Sequence, residues 1–305
     1  MSSDPFAPPP PPAFPVPRHP WHSEQTQYRV KVQPFSRLPE EVTVQKISFD
    51  RDFDAYHRAY ENGQSSCFPR RRRPDPSKPV DPECQERAQR RAKTRVRLHV
   101  TELAPEALVT FTTRETMPLE ALLSCWQHFT RLLRHNGIEY EYVAVPERHP
   151  SNPDHLHLHV AYRGETNFSM LRRLWHIALE ARHGRRVSAI LRGADSPGNI
   201  DVQKVKSRDQ IRKIRKIARY ISKYITKDLI SEFNQKRYWP SKGIDLQSAR
   251  VYWLDSLNAV DAIKEACILV GQWDHEIGMP GQNLFNPSDR VCWFAVDPDR
   301  TPPPF

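Results

Sequence analysis

The sequence has few cysteines, and none of them forms a metal-binding or redox pair. Its five cysteines among 305 residues are scattered, odd in number and without a C-x-x-C spacing. This pattern argues against a disulfide framework and against a zinc finger, and it favours a reducing compartment. The chain also lacks a charged-then-apolar leader and any apolar run near the roughly 18 residues that a bilayer span needs. We therefore expect a soluble cytoplasmic protein with no membrane partner.

Acidic residues are scarce where basic residues concentrate. The net charge is +10. Residues 204–227 hold ten Lys or Arg against one acidic residue, and residues 70–97 hold eleven against four. Residues 245–305 have the opposite balance, four against nine. Two concentrated basic blocks favour a polyanionic partner, and nucleic acid is the first candidate.

Composition divides the chain into four predicted segments. Residues 1–25 are rich in proline, which predicts a disordered or semi-rigid tail. Residues 26–83 form an uncertain basic segment and linker, with short strand candidates in QYRVKV and VTVQKISF. Residues 84–245 carry a regular succession of helix and strand patterns, and residues 246–305 predict a small helical appendage and a tail. No internal repeat is visible.

The middle segment predicts an α+β domain. A basic helix in CQERAQRRAKTRVRLHV precedes the order strand, helix, strand, strand, helix, strand, helix. The predicted strands are ALVTFTTR (107–114), IEYEYVAVPE (138–147), HLHLHVAY (155–162) and NIDVQKV (199–205). This order predicts an antiparallel central sheet with flanking helices, a split β-α-β, RRM-like arrangement with the helices on one side.

The stretch DHLHLHV (154–160) places three histidines on alternate residues. In a strand, His155, His157 and His159 project from one face. Glu147 lies on the preceding strand, and a tight connection would bring it opposite His157 and His159. Two imidazoles and a carboxylate suit a catalytic divalent metal such as Mg²⁺ or Mn²⁺, although the residues do not exclude Zn²⁺. The alternative is an exposed strand face that binds nothing.

The stretch ARYISKYITKD (218–228) predicts a helix with two tyrosines beside its buried stripe. Tyr220 and Tyr224 lie about one turn apart. A row of lysines occupies the neighbouring sector: Lys213, Lys216, Lys223 and Lys227. Tyrosines at such positions are also common packing residues, with lysines as solvated neighbours. Near a metal-bound phosphate, however, a phenol assisted by lysine is a nucleophile for a phosphodiester.

Together these motifs resemble the HUH endonucleases. His157-Leu158-His159 resembles their histidine-hydrophobic-histidine motif, and Tyr220-Ile-Ser-Lys223-Tyr224 resembles the two-tyrosine motif of their rolling-circle replication initiators. LVTFTT (108–113) resembles the first motif of that superfamily. RYWPS (237–241) resembles a segment of initiators from filamentous and related single-stranded DNA phages. The resemblance covers roughly residues 84–245; the third histidine and the proline-rich front depart from the family pattern.

The resemblance implies a function and a set of residue roles. It implies a site-specific endonuclease and strand transferase that nicks and rejoins single-stranded DNA at an origin, which can be a hairpin, through a 5′-phosphotyrosine. The metal ligands would be His157, His159 and Glu147, with His155 as a spare, and the catalytic residues Tyr220, Tyr224, Lys223 and Lys227. A phage or plasmid initiator of this kind acts in the bacterial cytoplasm with host helicase and replication proteins.

The basic blocks supply the candidate DNA contacts. The residues chosen are Arg70, Arg71, Arg72, Arg73, Arg90, Arg91, Lys213 and Lys216. Tyr238, Trp239 and Trp253 are candidates for base stacking, with core packing as the alternative. Other functions remain open: an HUH transposase, a mobilisation relaxase, a zinc-dependent hydrolase or a non-catalytic nucleic-acid-binding protein.

Overall fold

The computed structural model describes residues 27–47, 82–149, 151–164, 167–204, 210–223, 237–254, 256, 258–271 and 291–295. Its principal elements follow in chain order: β1 (Gln27–Gln33), β2 (Glu41–Ile47), α1 (Pro82–Leu103), β3 (Ala107–Thr113), α2 (Leu119–His135), β4 (Tyr140–His149), β5 (Asn152–Gly164), α3 (Phe168–Ala181), β6 (Gly198–Gln203), α4 (Gln210–Lys223), β7 (Trp239–Pro240), β8 (Arg250–Leu254), α5 (Ala259–Leu269) and β9 (Val291–Ala295). They divide into two units, β3–β7 with α1–α4, and β1, β2, β8 and β9 with α5. No helix within the described ranges has the length and apolar character needed to cross a membrane.

The first unit is built on a five-stranded antiparallel sheet. Its strand order is β6-β3-β5-β4-β7, so the histidine strand β5 lies at the centre. The predicted succession of strands and helices is confirmed, and the α+β class with it. The β4–β5 hairpin is tighter than predicted, because the strands extend to His149 and from Asn152.

One face of this sheet carries a large aromatic core. Helices α2 and α3 pack there on Phe111, Leu158, Val160 and other even-numbered residues of β5. The rings of Trp126 and Trp175 meet Phe111 edge-on, with centroids 5.2 and 5.3 Å away. Asn167 begins α3 by accepting a hydrogen bond from the backbone N–H of Met170, as helix N-caps do.

The opposite face is also covered by helices, which corrects the prediction that all helices lie on one side. Helices α1 and α4 pack there on Leu108, Val143, Val145 and Ala161. Strand residues alternate between faces, so an apolar side chain at successive positions makes both faces apolar. In β4 the run Val143, Ala144, Val145 does this, and each face then requires its own cover of helices.

The second unit joins two segments that are far apart in the sequence. Strands β1 and β2 form a hairpin, β8 pairs with β1, and β9 pairs with β2, giving the order β8-β1-β2-β9. Helix α5 packs on one face of this sheet, against Val30, Val42 and Phe294. The strands in QYRVKV and VTVQKISF were predicted, whereas their pairing with residues 250–254 and 291–295 was not.

We predict that Gly198→Ala destabilises the first unit. A Cβ at Gly198 would lie 2.8 Å from Leu179 Cδ1 and closer still to the carbonyl oxygen of Thr112, so α3 or β3 would have to move. Forced packing of this kind costs about 1–3 kcal/mol. Urea unfolding of the full chain should show the loss.

Gly184→Ala is the matched control. A Cβ at Gly184 meets no atom within 4 Å, and only its φ of +68° disfavours alanine. The control should therefore lose less stability than Gly198→Ala, at about 1 kcal/mol. Equal losses in the two variants would show that the close approach at Gly198 is not the cause.

Candidate functional site

The β4–β5 hairpin sets the register of the candidate site. Its antiparallel pairing places Glu147 opposite His157 and Val145 opposite His159. Residues paired in this way point to the same face of the sheet. The arrangement is the one that the sequence predicted, with the carboxylate among the histidines on a shared face, which we call the histidine face.

Glu147 and His159 form a buried pair. Each side chain is less than a tenth exposed, and Glu147 Oε2 lies 2.7 Å from His159 Nε2. On the other side of the ring, His159 Nδ1 lies 3.1 Å from the hydroxyl of Thr110, its partner on β3. Because an ionised carboxylate only accepts hydrogen bonds, Nε2 carries the proton toward Glu147. Thr110 then donates to Nδ1 of the neutral ring, and both contacts fix its orientation.

His157 lies in the most crowded position of the face. Its ring centroid is 4.9 Å from that of His149 and 5.4 Å from that of His155. Burial lowers the pKa of His157 to about 4, and the three neighbouring imidazoles add to the effect while Glu147 opposes it. His157 is therefore neutral at physiological pH, which is the form that binds metal ions.

His155 is held by the end of β3. Its Nε2 lies 2.6 Å from the carbonyl oxygen of Thr113, which accepts the hydrogen bond, and 3.3 Å from the hydroxyl of the same residue. Nε2 must carry the proton in this contact. His155 therefore presents only Nδ1 as a potential metal ligand.

The donors of the histidine face fit a divalent metal in part. Octahedral ligands at about 2.1 Å and at right angles are separated by about 3 Å, close to the 2.7 Å between Glu147 and His159. His157 supplies a neutral imidazole at the position paired with Glu147. In the described part of the chain, however, no three His, Cys, Asp or Glu side chains already converge on one metal position.

Helix α4 packs on the histidine face. Its Ile217 and Ile221 are buried in one cluster with Val145, the residue paired with His159, and with Ala161, two residues farther along β5. The predicted buried stripe of this helix is thus confirmed for Ile214, Ile217, Ala218 and Ile221. Tyr220 lies beside that stripe with 40% of its surface exposed. The tyrosine helix and the histidines therefore share one side of the sheet.

Helices α1 and α4 present a basic outer surface. Their buried sides meet through Val96, Val100, Ile217 and Ile221. The exposed side chains are those of Arg87, Arg90, Arg91, Lys93 and Arg95 on α1 and of Arg212, Lys216, Arg219 and Lys223 on α4. Of the predicted DNA contacts, Arg90, Arg91 and Lys216 lie on this surface, and Lys213 is half-buried on α4. We call this surface the basic helix pair.

Several predicted site residues lie outside the described residues. They are Tyr224, Lys227, Arg70, Arg71, Arg72 and Arg73. Their predicted roles stay predictions.

Two aromatic candidates for base stacking pack against the protein. The RYWPS segment adds the short strand β7 to the edge of the sheet, where Trp239 pairs with Ala144. Trp239 packs on the aromatic core, and Tyr238 packs on the cluster of the histidine face with its ring 5.5 Å from that of His99. Both side chains are half-buried, so packing is the role that the structure gives them.

The sequence argument missed two polar neighbours of the histidines. Thr110 holds His159, and Asp201 on β6 pairs with Thr110, so its exposed side chain points to the histidine face. Thr110 lies in LVTFTT, which was assigned only a supporting role. The alternation of β3 and β6 was the available signal, but their register is not readable from either strand alone.

Comparison with known families gives one match. Residues 106–229, which are 124 of the 305 residues, match the family of replication-associated proteins named for ORF2. The match spans β3 to α4 and therefore contains the histidine face and the tyrosine helix. No curated protein and no solved structure matches the chain. The family match supports a role as a replication initiator.

We predict that acid destabilises the metal-free protein through His157. A histidine in the unfolded chain titrates near 6.5, whereas burial holds the pKa of the folded His157 at about 4. Between these values the unfolded state binds more protons, so the stability present above pH 6.5 falls as the pH drops toward 4. Urea midpoints measured in EDTA across this window should fall less in His157→Gln than in the wild type.

His135→Gln is the matched control, because His135 is exposed on α2, on the other face of the sheet. This variant should keep the full acid dependence of the wild type. If His157→Gln kept it too, the crowded imidazole would not be its source.

Proposed function

We propose that this protein initiates rolling-circle replication by nicking and rejoining single-stranded DNA at an origin. Cleavage and religation would proceed through a 5′-phosphotyrosine, with Mg²⁺ or Mn²⁺ as cofactor. The observation that carries the proposal is the shared side of the sheet: histidine pair, carboxylate and tyrosine helix lie on one face. The match to a replication-associated family over the same residues supports it.

The histidine face supplies the proposed metal site. His157, His159 and Glu147 would hold the ion, since His155 donates its Nε2 proton to Thr113 and is the poorer candidate. The bound ion would polarise the scissile phosphate and hold it in line for attack. Thr110 orients His159, as outer hydrogen bonds orient metal-binding imidazoles.

The tyrosine helix supplies the proposed nucleophiles. Oη of Tyr220 or Tyr224 would form a bond to the phosphorus, while the bond from phosphorus to the 3′ oxygen breaks. The departing oxygen takes up a proton and leaves as a 3′-hydroxyl, and the 5′ phosphate stays on the enzyme as a diester. Lys223 and Lys227 would stabilise the phenolate and the phosphate charge. Since the phosphotyrosine retains the ester bond, a free 3′-hydroxyl reverses the reaction and reseals the strand.

The basic helix pair supplies the proposed backbone contacts. The exposed arginines and lysines of α1 and α4 lie on the same face of the sheet as the histidines and Tyr220. A strand crossing this surface would place its phosphates near Tyr220. Host helicase and replication proteins are the further partners that such an initiator requires.

We predict that Tyr220 and Tyr224 carry the covalent adduct. The full-length protein is incubated with 5′-labelled and 3′-labelled origin oligonucleotides and Mn²⁺, and adducts are resolved on denaturing gels. The 3′-labelled strand should become linked to the wild-type protein. Tyr220→Phe together with Tyr224→Phe should remove the adduct completely, because no phenol remains to attack.

Tyr238→Phe is the matched control, since it removes a phenol from the same unit at a packed position. It should leave the adduct unchanged. EDTA should abolish the adduct in the wild type, and Mn²⁺ should restore it. An adduct that survives in the double variant would refute the nucleophile assignment, and one that survives in EDTA would refute the metal requirement.

We predict that the basic helix pair sets the salt dependence of binding. Arg91→Gln with Lys216→Gln removes one exposed charge from each helix. Each lost phosphate contact on a single strand lowers the slope of log K against log salt by about 0.7, so two lower it by about 1.4. Fluorescence anisotropy with a single-stranded oligonucleotide in EDTA measures that slope.

Arg131→Gln with Arg134→Gln removes the same charge from exposed positions on α2, across the sheet. This control should keep the wild-type slope. Equal changes in both double variants would mean that binding follows net charge and not the basic helix pair.

A further inference from the structure

The sheet of the second unit has one face that no apolar cluster of the described residues covers. Helix α5 packs on the other face, where Val30, Val42, Leu254 and Phe294 are buried. Strand alternation turns the intervening residues away from α5. None of those residues belongs to a hydrophobic cluster within the described ranges. We call this surface the open sheet face.

The strand register determines which side chains meet on the open sheet face. Trp253 of β8 pairs with Arg29 of β1. Lys31 of β1 pairs with Thr43 of β2, which pairs with Trp293 of β9. All five side chains are half-buried, as expected for a sheet surface flanked only by its neighbours. The face therefore has an indole on each outer strand and two cations on the strand between β8 and β2.

The accessible charge of the open sheet face is positive. Its one carboxylate among the described residues is that of Glu41, which is 2% exposed and sits at one end. Glu41 accepts a hydrogen bond from Trp293 Nε1 at 3.3 Å, which fixes the edge of that indole. Arg29 donates to Gln45 Oε1 at 2.5 Å and keeps its positive charge in doing so. The surface suits a ligand that combines negative charge with flat rings.

We infer that the open sheet face binds single-stranded DNA, with bases stacked on Trp253 and Trp293 and phosphates near Arg29 and Lys31. Four-stranded sheets with aromatic side chains bind two or three unpaired bases in this manner. The two indoles lie on strands three spacings apart, about 14 Å, which leaves room for more than one nucleotide between them. Bases in a duplex are already stacked on each other and cannot use the indoles. The inference rests on the proposed function for the identity of the polymer, since that function generates a single strand.

The test compares full-length tryptophan variants in binding to a fluorescein-labelled dT oligonucleotide in EDTA. Stacking losses on alanine substitution correspond to about a fivefold or greater rise in Kd for each base. Trp253→Ala and Trp293→Ala should each show such a rise, and Trp253→Phe and Trp293→Phe should recover most of the affinity because they keep a stacking ring. A blunt duplex of the same length should bind all variants equally.

Charge variants provide the second arm. Lys31→Gln should weaken binding to the oligonucleotide, while Lys264→Gln should not, since it is exposed on α5 at the other side of the same sheet. Unchanged affinity in both alanine variants would overturn the inference. Equal losses for alanine and phenylalanine would overturn it as well, because they would reflect a structural role of the indoles.

The covalent-adduct assay separates this result from the proposed function. If the wild type forms the adduct but the tryptophan variants bind the oligonucleotide normally, only the inference about the open sheet face fails. If no adduct forms while the variants lose affinity, the nickase proposal fails and the face remains a single-strand binding surface.

Discussion

The register of the β4–β5 hairpin is the constraint on which the candidate site depends. It turns the carboxylate of Glu147 and the imidazoles of His157 and His159 to one face, and a slip of one residue would turn the histidines into the aromatic core. The alternate residues of β5 make that slip costly, because Leu156, Leu158 and Val160 are all buried on the other side. The apolar half of the strand thus fixes the position of its polar half.

The second constraint is the apolar patch that continues the histidine face. Had the face been polar along its whole length, nothing would hold a helix against it. Val143, Val145 and Ala161 provide the patch, and the isoleucines of α4 bury against it. The same helix carries Tyr220 and its basic neighbours at the border of the buried stripe. Amphipathic packing and proposed chemistry are therefore compatible roles of one helix, and the packing is what places Tyr220 on the side of the histidines.

Periodicity predicted the elements of the first unit but not everything about their assembly. The H-x-H-x-H alternation identified a strand with a polar face, and the isoleucine spacing identified the buried stripe of α4; both are local patterns. The cover of helices on both faces depended on successive apolar residues such as Val143 and Ala144, a local feature that the prediction left out. The second sheet could not be derived in this way, because its pairing joins residues more than 200 positions apart and no local pattern encodes a partner at that distance. The hold of Thr110 on His159 also depends on pairing between strands.

Crowding of imidazoles has a consequence for the proposed metal site. Four histidines on one hairpin would repel one another if protonated, and burial adds to the cost of charge at His157. Both effects favour the neutral ring. The Glu147 carboxylate favours the charged form of a nearby imidazole, yet it is already engaged with His159. The two rings of the H-x-H pair therefore have different environments: His159 is oriented by hydrogen bonds on both nitrogens, and His157 is kept neutral by burial and its neighbours. A metal-binding pair needs both an oriented and a deprotonated donor, and the hairpin provides one of each before any ion is bound.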